Sequence, residues 1–352
     1  MPKARRDDWQ EITDGRLVIR PIHASDYDAL YQCAVESGHG FTSLPVDESL
    51  LRQRIARAQE AFAKPDITQP GEEGYLFVME DTANGEIAGI AAIEAAVGLS
   101  QAFYHYHLGK VVHHSPKHNV YNALQTLTLC NDYTGATELC TLFVREPYRF
   151  GKNGRAMSKF RLLFLAQFSQ RFSSRIFAEM RGVSDENGRS PFWAWLEKHF
   201  FTMDFPRADY LTGIGDKTFV AELMPRIPIY VNLLDKPAQQ VIGKVHQDTM
   251  PALKLLQSEG LRFRDYIDIF DAGPTVEGDL QQLKTVRNSR LMRVVIGEPA
   301  VAESYLLCNL KLAEFRACHA QVTCSGDNVI VTPQVAEALQ VDAGEQVRIA
   351  PL

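Results

Sequence analysis

Long apolar runs are missing from this 352-residue chain: no segment reaches the length of a membrane helix, and the basic start at Lys3, Arg5 and Arg6 has no apolar segment behind it. Neither a membrane span nor an export signal is expected. Basic tracts are missing too. With 37 Lys and Arg against 43 Asp and Glu the net charge is -6, and no cationic run exceeds a few residues, which argues against nucleic acid as a partner. The six cysteines, Cys33, Cys130, Cys140, Cys308, Cys318 and Cys324, form no C-x-x-C pair and sit in mostly apolar or strand-like surroundings. They are read as reduced core residues of a cytoplasmic protein. Histidine and cysteine spacings match no metal-ligand pattern. No internal repeat or low-complexity tract is present.

What is present is an ordinary globular composition, 45% hydrophobic and 23% charged, on a chain long enough for more than one substructure. The most informative stretch runs from Glu138 to Phe168. Leu139 to Val144 is short and apolar on both faces, as a strand buried inside a sheet would be. Arg145-Glu146-Pro147 ends it. Then come Arg149, Gly151, Lys152, Asn153, Gly154 and Arg155, followed by Met157, Phe160, Phe164 and Phe168 at helical spacing. A strand, a basic glycine-containing loop and a helix start make an anion site. Glycine lets backbone N–H groups approach, the helix dipole favours negative charge, and Arg and Lys add full charges. A phosphate is the expected guest, yet the loop is neither Walker A nor G-x-G-x-x-G.

In chain order, residues 1–15 read as a loose extension. Leu17 to Ile22 alternates as a strand, and Ala24-Ser25-Asp26 signals the start of a helix over Tyr27 to Val35. A second helix is expected over Glu48 to Phe62. Tyr75 to Glu80 and Glu86 to Glu94 form a hairpin around Asn84-Gly85. Tyr104 to His113 and Gln125 to Cys130 read as strands with Ser115 to Asn122 as a loop, and Arg175 to Met180 follows the Glu138–Phe168 stretch as another strand. Residues 182–235 form an aromatic, loop-rich insertion whose helix starts near Pro191. Pro251 to Ser258 reads as a helix ending at Gly260, and Leu261 to Phe270 as the strand that closes the core. From about Thr275 the runs Leu280 to Val286, Arg290 to Val295, Tyr305 to Leu310, Phe315 to Thr323 and Val329 to Val331, with a helix over Val335 to Leu339 and a last strand near Ile349, suggest a small β-barrel. The expected division is therefore an extension (1–15), a main domain (16–280, insertion 182–235) and a β-rich domain (281–352).

The loop resembles the pyrophosphate loop of GCN5-related N-acyltransferases, where an Arg/Gln-x-x-Gly-x-Gly/Ala segment wraps coenzyme A; counted from Arg149, the first glycine here comes one position early. Six further strings, beginning at Gly40, Ile93, Asn119, Glu138, Ala178 and Asp268, resemble in the same order those of the arginine N-succinyltransferase family, from about Leu17 onward. They read GFTSLP, IEAAVGL, NVYN, ELCTLF, AEMRGVSDE and DIFDAGPT. The resemblance implies an α+β fold: a GCN5-related N-acyltransferase-like mixed sheet flanked by helices, with a large insertion and a small C-terminal β-barrel. It implies an enzyme that moves succinyl from succinyl-CoA to the α-amino group of L-arginine in arginine catabolism. It also implies a cofactor contact at Leu142 and a catalytic histidine at His246, in the string Val241 to His246. Aminolysis of a thioester needs two proton movements, and histidine titrates near neutrality. His246 is assigned the general acid role toward the leaving thiolate, with a water or a second residue as the base. Gln247-Asp248 follows it where the family has Pro-Gln. The other histidines, such as His105, His107, His113, His114 and His199, carry no such signal.

Arg149, Gly151, Lys152, Asn153, Gly154 and Arg155 are the expected cofactor-binding loop. A bidentate Arg suits the succinyl carboxylate, with Arg181 or Arg189 as candidates, while Glu94, Asp185 or Glu186 are candidates for the guanidinium. No metal is expected. The other readings are an acyltransferase acting on ornithine or another amine with a different acyl-CoA, and a non-catalytic paralogous subunit of a mixed oligomer. Partners are expected to be small substrates and further subunits, in a homo-oligomer or a hetero-oligomer, with neither nucleic acid nor membrane.

Overall fold

The computed structural model describes residues 15–38, 44–185, 188–200, 203, 207–208, 211 and 222–352. The extension before Gly15, the segment Gly40 to Ser43, Glu186 and much of the insertion lie outside the described residues. The chain begins with β1 (Leu17–Pro21), α1 (Tyr27–Ser37), α2 (Glu48–Ala63), β2 (Gly74–Asp81) and β3 (Glu86–Glu94). The Asp47 carboxylate caps α2 by accepting from the Leu50 N–H at 3.0 Å. The hairpin between β2 and β3 turns on Gly85 at φ +74°, a left-handed conformation that suits glycine. Next come β4 (His105–Ser115), β5 (Val120–Cys130), β6 (Thr137–Val144), α3 (Asn153–Gln167) and β7 (Arg175–Glu179). β4 and β5 pair from His105↔Cys130 to Ser115↔Val120 as a long arm. The span expected as an open loop is therefore mostly strand, closed by a short 3₁₀ turn at Pro116–His118 and by Asn119 at φ 50°.

After β7 follow α4 (Pro191–Phe200), β8 (Ile229–Tyr230), α5 (Lys236–Val241), α6 (Met250–Glu259), β9 (Arg262–Ile267) and β10 (Pro274–Asp279). α6 ends at Gly260, φ +116°, as expected. The closing strand differs from expectation. β10 pairs antiparallel with β7 along its whole length, and β9 stands outside it. The sequence reading ends the closing strand at Phe270, whereas here Pro274 is the first residue of a further strand, a position where the missing N–H is tolerated.

α7 (Lys284–Asn288) leads to β11 (Arg290–Ile296), β12 (Glu303–Cys308), β13 (Ala317–Ser325), β14 (Asn328–Val331), α8 (Pro333–Leu339) and β15 (Gln346–Pro351). Leu280 to Val286 is thus helical, not a barrel strand. The strand order β12-β15-β11-β14-β13 closes through a β12–β13 pairing into a five-stranded barrel. One strand pair joins it to the main sheet, which continues β13-β1-β2-β3-β6-β7-β10-β9-β4-β5-β8.

α3 holds this arrangement together. Its Phe160, Phe164 and neighbouring Phe168, all buried, stack against Phe77, Phe62, Tyr75 and Phe315, with Phe77–Phe160 centroids 4.8 Å apart and Phe164–Phe315 4.9 Å. Each such ring removes enough apolar surface to contribute about 2–3 kcal/mol. Phe315 comes from the segment between β12 and β13, so the aromatic core is shared with the barrel.

Candidate active site

β6 and β7 pair in parallel only at Thr137↔Ile176 and Glu138↔Phe177. Beyond Glu138 they part, and a cleft of about 940 Å³ opens between them, bounded also by α3 and by α6 along its length. β6 is central, but its residues alternate between buried and half-buried because one face looks into this cleft. The expectation of a strand buried on both faces is corrected accordingly.

Inside β6 the ladder to β3 slips. Cys140 stands opposite Ala92 and Phe143 opposite Ile90, so Thr141 and Leu142 face Ala91 alone. Thr141 takes φ +52°, a conformation that strains a β-branched residue, and its hydroxyl accepts from Arg54 at 3.0 Å. A bulge of this kind frees backbone groups from the sheet and aims them elsewhere. Leu142 lines the cleft at that point.

The basic loop lies at the open end. Arg149, Gly154 and Arg155 line the cleft; Gly151, Lys152 and Asn153 are beside it without lining it. Arg149 donates from Nε to the Val144 carbonyl at 2.6 Å and lies over the Phe143 ring, which ties the loop to the strand end. Gly151 has φ +55°. Asn153, fully buried, donates to the Tyr148 carbonyl and opens α3. α3 starts here, and its first N–H groups have no partner within the helix.

His246 does not itself line the cleft but stands next to Arg181 and Asp248, which do. Its backbone N–H donates to the Arg181 carbonyl at 2.8 Å, next to a bridge between Gly182 and Val245, so the histidine is fastened to the chain leaving β7. Its side chain is about one-fifth exposed (21%), and Nδ1 accepts from the Asp248 N–H at 3.2 Å. An accepting Nδ1 leaves the proton of the neutral ring on Nε2. The donor is a main-chain N–H that the family's Gln at position 248 would equally carry, so the Gln247-Asp248 departure leaves this contact in place, and Asp248 and Thr249 line the cleft beside it.

Of the candidates for the carboxylate, Arg181 lines the cleft, donating to Ser184 Oγ at 3.3 Å, while Arg189 is exposed and held in a turn by the Asp185 carboxylate. Of the candidates for the guanidinium, Glu94 is ion-paired with Arg57, Asp185 is exposed, and Glu186 lies outside the described residues. The acids that do line the cleft are others. Asp268 and Asp271 stand together where the chain turns toward β10. Asp271 accepts from the N–H groups of Gly182 and Gly273 at 2.6 and 2.8 Å. Burial first, and then the charge of Asp268, push the Asp271 carboxyl well above the ordinary carboxylate range. The two glycines are required: a Cβ at Gly182 would lie 2.5 Å from the Asp271 carbonyl oxygen, and one at Gly273 only 2.0 Å from that of Met180. Glu179, also in the cleft wall, meets His105 Nε2 at 2.9 Å. In the sequence, the DIFDAGPT string covers the aspartates and the AEMRGVSDE string covers Glu179, but neither singled out these acids as candidates. Cys140 lines the cleft too, but burial, with the charges of Glu138 and Glu94, pushes its thiol up, so it stays protonated. Among the described residues no His, Cys, Asp and Glu cluster has the geometry to hold a metal ion, and no helix is long and apolar enough to cross a membrane.

A parted strand pair with a bulge beside the parting, followed by a basic loop at a helix start, is the arrangement of an acyl-CoA-dependent N-acyltransferase. Residues 17–285 match the family described as arginine N-succinyltransferase beta subunit, and residues 290–351 match the C-terminal domain of that family. The chain belongs to the arginine N-succinyltransferase family. It is 47% identical over 338 residues to arginine N-succinyltransferase of Escherichia coli (strain 55989 / EAEC), covering 96% of this chain and 98% of the relative. The enzyme of Salmonella schwarzengrund (strain CVM19633) is 48% identical over 337 residues, covering 95% and 97%. The solved structure of arginine/ornithine succinyltransferase subunit AI from Pseudomonas aeruginosa matches with a TM-score of 0.88 at 35% identity, covering 96% of this chain and 98% of that one.

Proposed function

We propose that this enzyme transfers the succinyl group of succinyl-CoA to the α-amino group of L-arginine by direct attack within the β6/β7 cleft. The observation that carries the mechanism is the bulge at Thr141-Leu142, whose two residues line the cleft. In this reading the basic loop from Arg149 to Arg155 and the start of α3 receive the CoA phosphates, and the pantetheine arm runs along β6. The thioester carbonyl meets the Leu142 N–H, where negative charge develops in the tetrahedral intermediate. The arginine amine, once deprotonated through a water or a second residue, attacks that carbon. A C–N bond forms, the nitrogen of the adduct gives up its surplus proton to water, the C–S bond breaks, and His246 gives a proton to the departing thiolate. The protonated Cys140 thiol argues against an acyl-enzyme route. The cationic groups of the acceptor face the wall carrying Glu179, Asp268 and Asp271, and its carboxylate faces Arg181.

Ornithine is a second acceptor to consider, since the similar protein of Pseudomonas aeruginosa is named an arginine/ornithine succinyltransferase. An oligomer of this chain, alone or with a paralogous subunit, is part of the reading, because that protein and the matched family both carry the word subunit in their names. So is a cytoplasmic location, in keeping with six unpaired cysteines. The test is thiol release from succinyl-CoA with arginine, ornithine, lysine or no amine, and from acetyl-CoA in parallel. Arginine-dependent release with acetyl-CoA much poorer is expected. CoA binding with no release for any amine would favour a non-catalytic subunit.

A further inference from the structure

At the closed end of the cleft lies Arg161, on the face of α3 turned toward β6. It is only 2% exposed, yet it lines the cleft. Its Nη1 donates to the Cys140 carbonyl, its Nε to the Ser158 carbonyl and its Nη2 to Ser158 Oγ, each at 3.2 Å. All three acceptors are neutral. No carboxylate lies within ion-pair distance of it among the described residues; of the acidic groups near it, the Cys140 thiol acts on it most and Glu138 next. Burial brings the guanidinium down to about 10, so it stays charged at neutral pH.

Other buried cations are treated differently. Arg20 is paired with Asp26 at 2.7 Å, and Lys159 with Glu259 at 3.3 Å. Arg171 is buried without a carboxylate, but it closes on the carbonyls of Lys64 and Pro65, at the C-terminal end of α2 where the helix dipole favours a cation, and it does not line the cleft. A buried charge with only neutral partners is unfavourable unless an anion completes it. If Arg161 served only to hold Cys140 and Ser158, a neutral amide would do the same work without burying a charge.

We propose that Arg161 reads the distal carboxylate of the acyl group, so that the cleft selects a dicarboxylic acyl-CoA over a neutral one of equal chain length. This rests on the reading of the cleft as the acyl-CoA site. The Cys140 carbonyl held by Arg161 is two residues before Leu142, at most roughly 6–7 Å away along the chain, a span the bulge at Thr141 shortens. That is the scale of a succinyl chain from its thioester oxygen to its carboxylate. Three of the five guanidinium N–H groups are engaged, which leaves the other two for the incoming carboxylate. Arg181, at the mouth beside His246, is then free for the carboxylate of the acceptor.

The experiment compares wild type with Arg161→Met, Arg161→Gln and Arg161→Lys as full chains. It measures arginine-dependent thiol release from succinyl-CoA and from butyryl-CoA, in which a methyl replaces the carboxylate, together with binding of CoA itself. Arg161→Met should lower kcat/KM for succinyl-CoA by roughly a hundredfold and leave butyryl-CoA unchanged or improved. Affinity for CoA should hold, Arg161→Gln should follow Met, and Lys should restore part of the preference. If Met disturbs folding, seen in its unfolding curve, the Gln and Lys pair still reads the ratio. Equal losses for both donors would reduce Arg161 to a structural tie, and an unchanged ratio would place carboxylate recognition elsewhere. Wild type that fails to bind CoA would instead overturn the acyl-CoA reading of the cleft, and the proposal with it.

Discussion

The C-terminal barrel and the β6/β7 cleft belong to one sheet and treat its hydrogen bonds in opposite ways. In the barrel, β13 returns to β12, so pairing runs all the way round, and Leu307, Cys318, Val329, Val347 and Ile349 fill an interior that is wholly buried. In the core, β6 and β7 share two residue pairs and then separate, and next to the gap stand a strained Thr141, an acid pair and a cation with no acid partner. Closure removes free edges and polar demands, whereas separation creates them. The polar groups of the opened sheet are what a substrate can satisfy, so stability is concentrated in one region and chemistry in the other.

The largest effect expected on the open side is from His246→Ala. Turnover should fall by about 10²–10⁴-fold, while succinyl-CoA affinity, followed by titration calorimetry, stays near wild type. Comparable loss of both would remove the proton-transfer assignment.

On the closed side, His319 of β13 is buried, and burial, with the charge of Lys152 second, brings its imidazole down to about 4. In the unfolded chain it titrates near 6.5. The folded state therefore holds its full stability above pH 6.5 and loses it as pH falls toward 4, by up to about 3 kcal/mol. His319→Leu should flatten that part of the curve of Tm against pH without altering catalysis at pH 8. A variant as acid-sensitive as wild type would show that the acid lability lies elsewhere.

The smallest expected effect is at the acid pair. The raised carboxyl of Asp271 favours the folded state while both folded and unfolded chains are protonated, and weighs against it as pH climbs above the ordinary carboxylate range. Asp268→Asn keeps an oxygen to accept from the Phe270 and Asp271 N–H groups and removes one charge. It should raise stability near pH 7.5 by on the order of 1 kcal/mol, with the gain vanishing toward pH 4. A gain that is independent of pH would argue against charge repulsion as its source.

What could be read in the residues divides along the same line. The Asn84-Gly85 hairpin, the Gly260 helix stop and the apolar face of α3 follow from local rules, and each stands where those rules put it. The bulge at Thr141 and the parting of β6 from β7 are products of three strands meeting, and no local signal marks them. Arg161 looks in sequence like one more charge on a helix; only the fold turns that face toward β6. His246 is legible through its family string alone, since its position depends on a bridge to Gly182 from far earlier in the chain. β10 is hidden by the Gly-Pro at its start, and the hydrogen bonds of β4 and β5 override the turn-rich look of the arm between them.

Lys159 of α3 donates to the Pro351 carbonyl in β15, 192 positions later, and Phe315 completes the aromatic cluster beneath the same helix. During synthesis, then, the helix that begins at the basic loop waits for most of the remaining chain before its packing is complete. A nascent chain stopped short of the barrel leaves Phe77, Phe160 and Phe164 without their last partner, an exposed aromatic face of the kind that chaperones bind and that drives aggregation. The barrel is thus the late checkpoint of biogenesis: the ribosome must deliver it before the rest of the enzyme can finish folding.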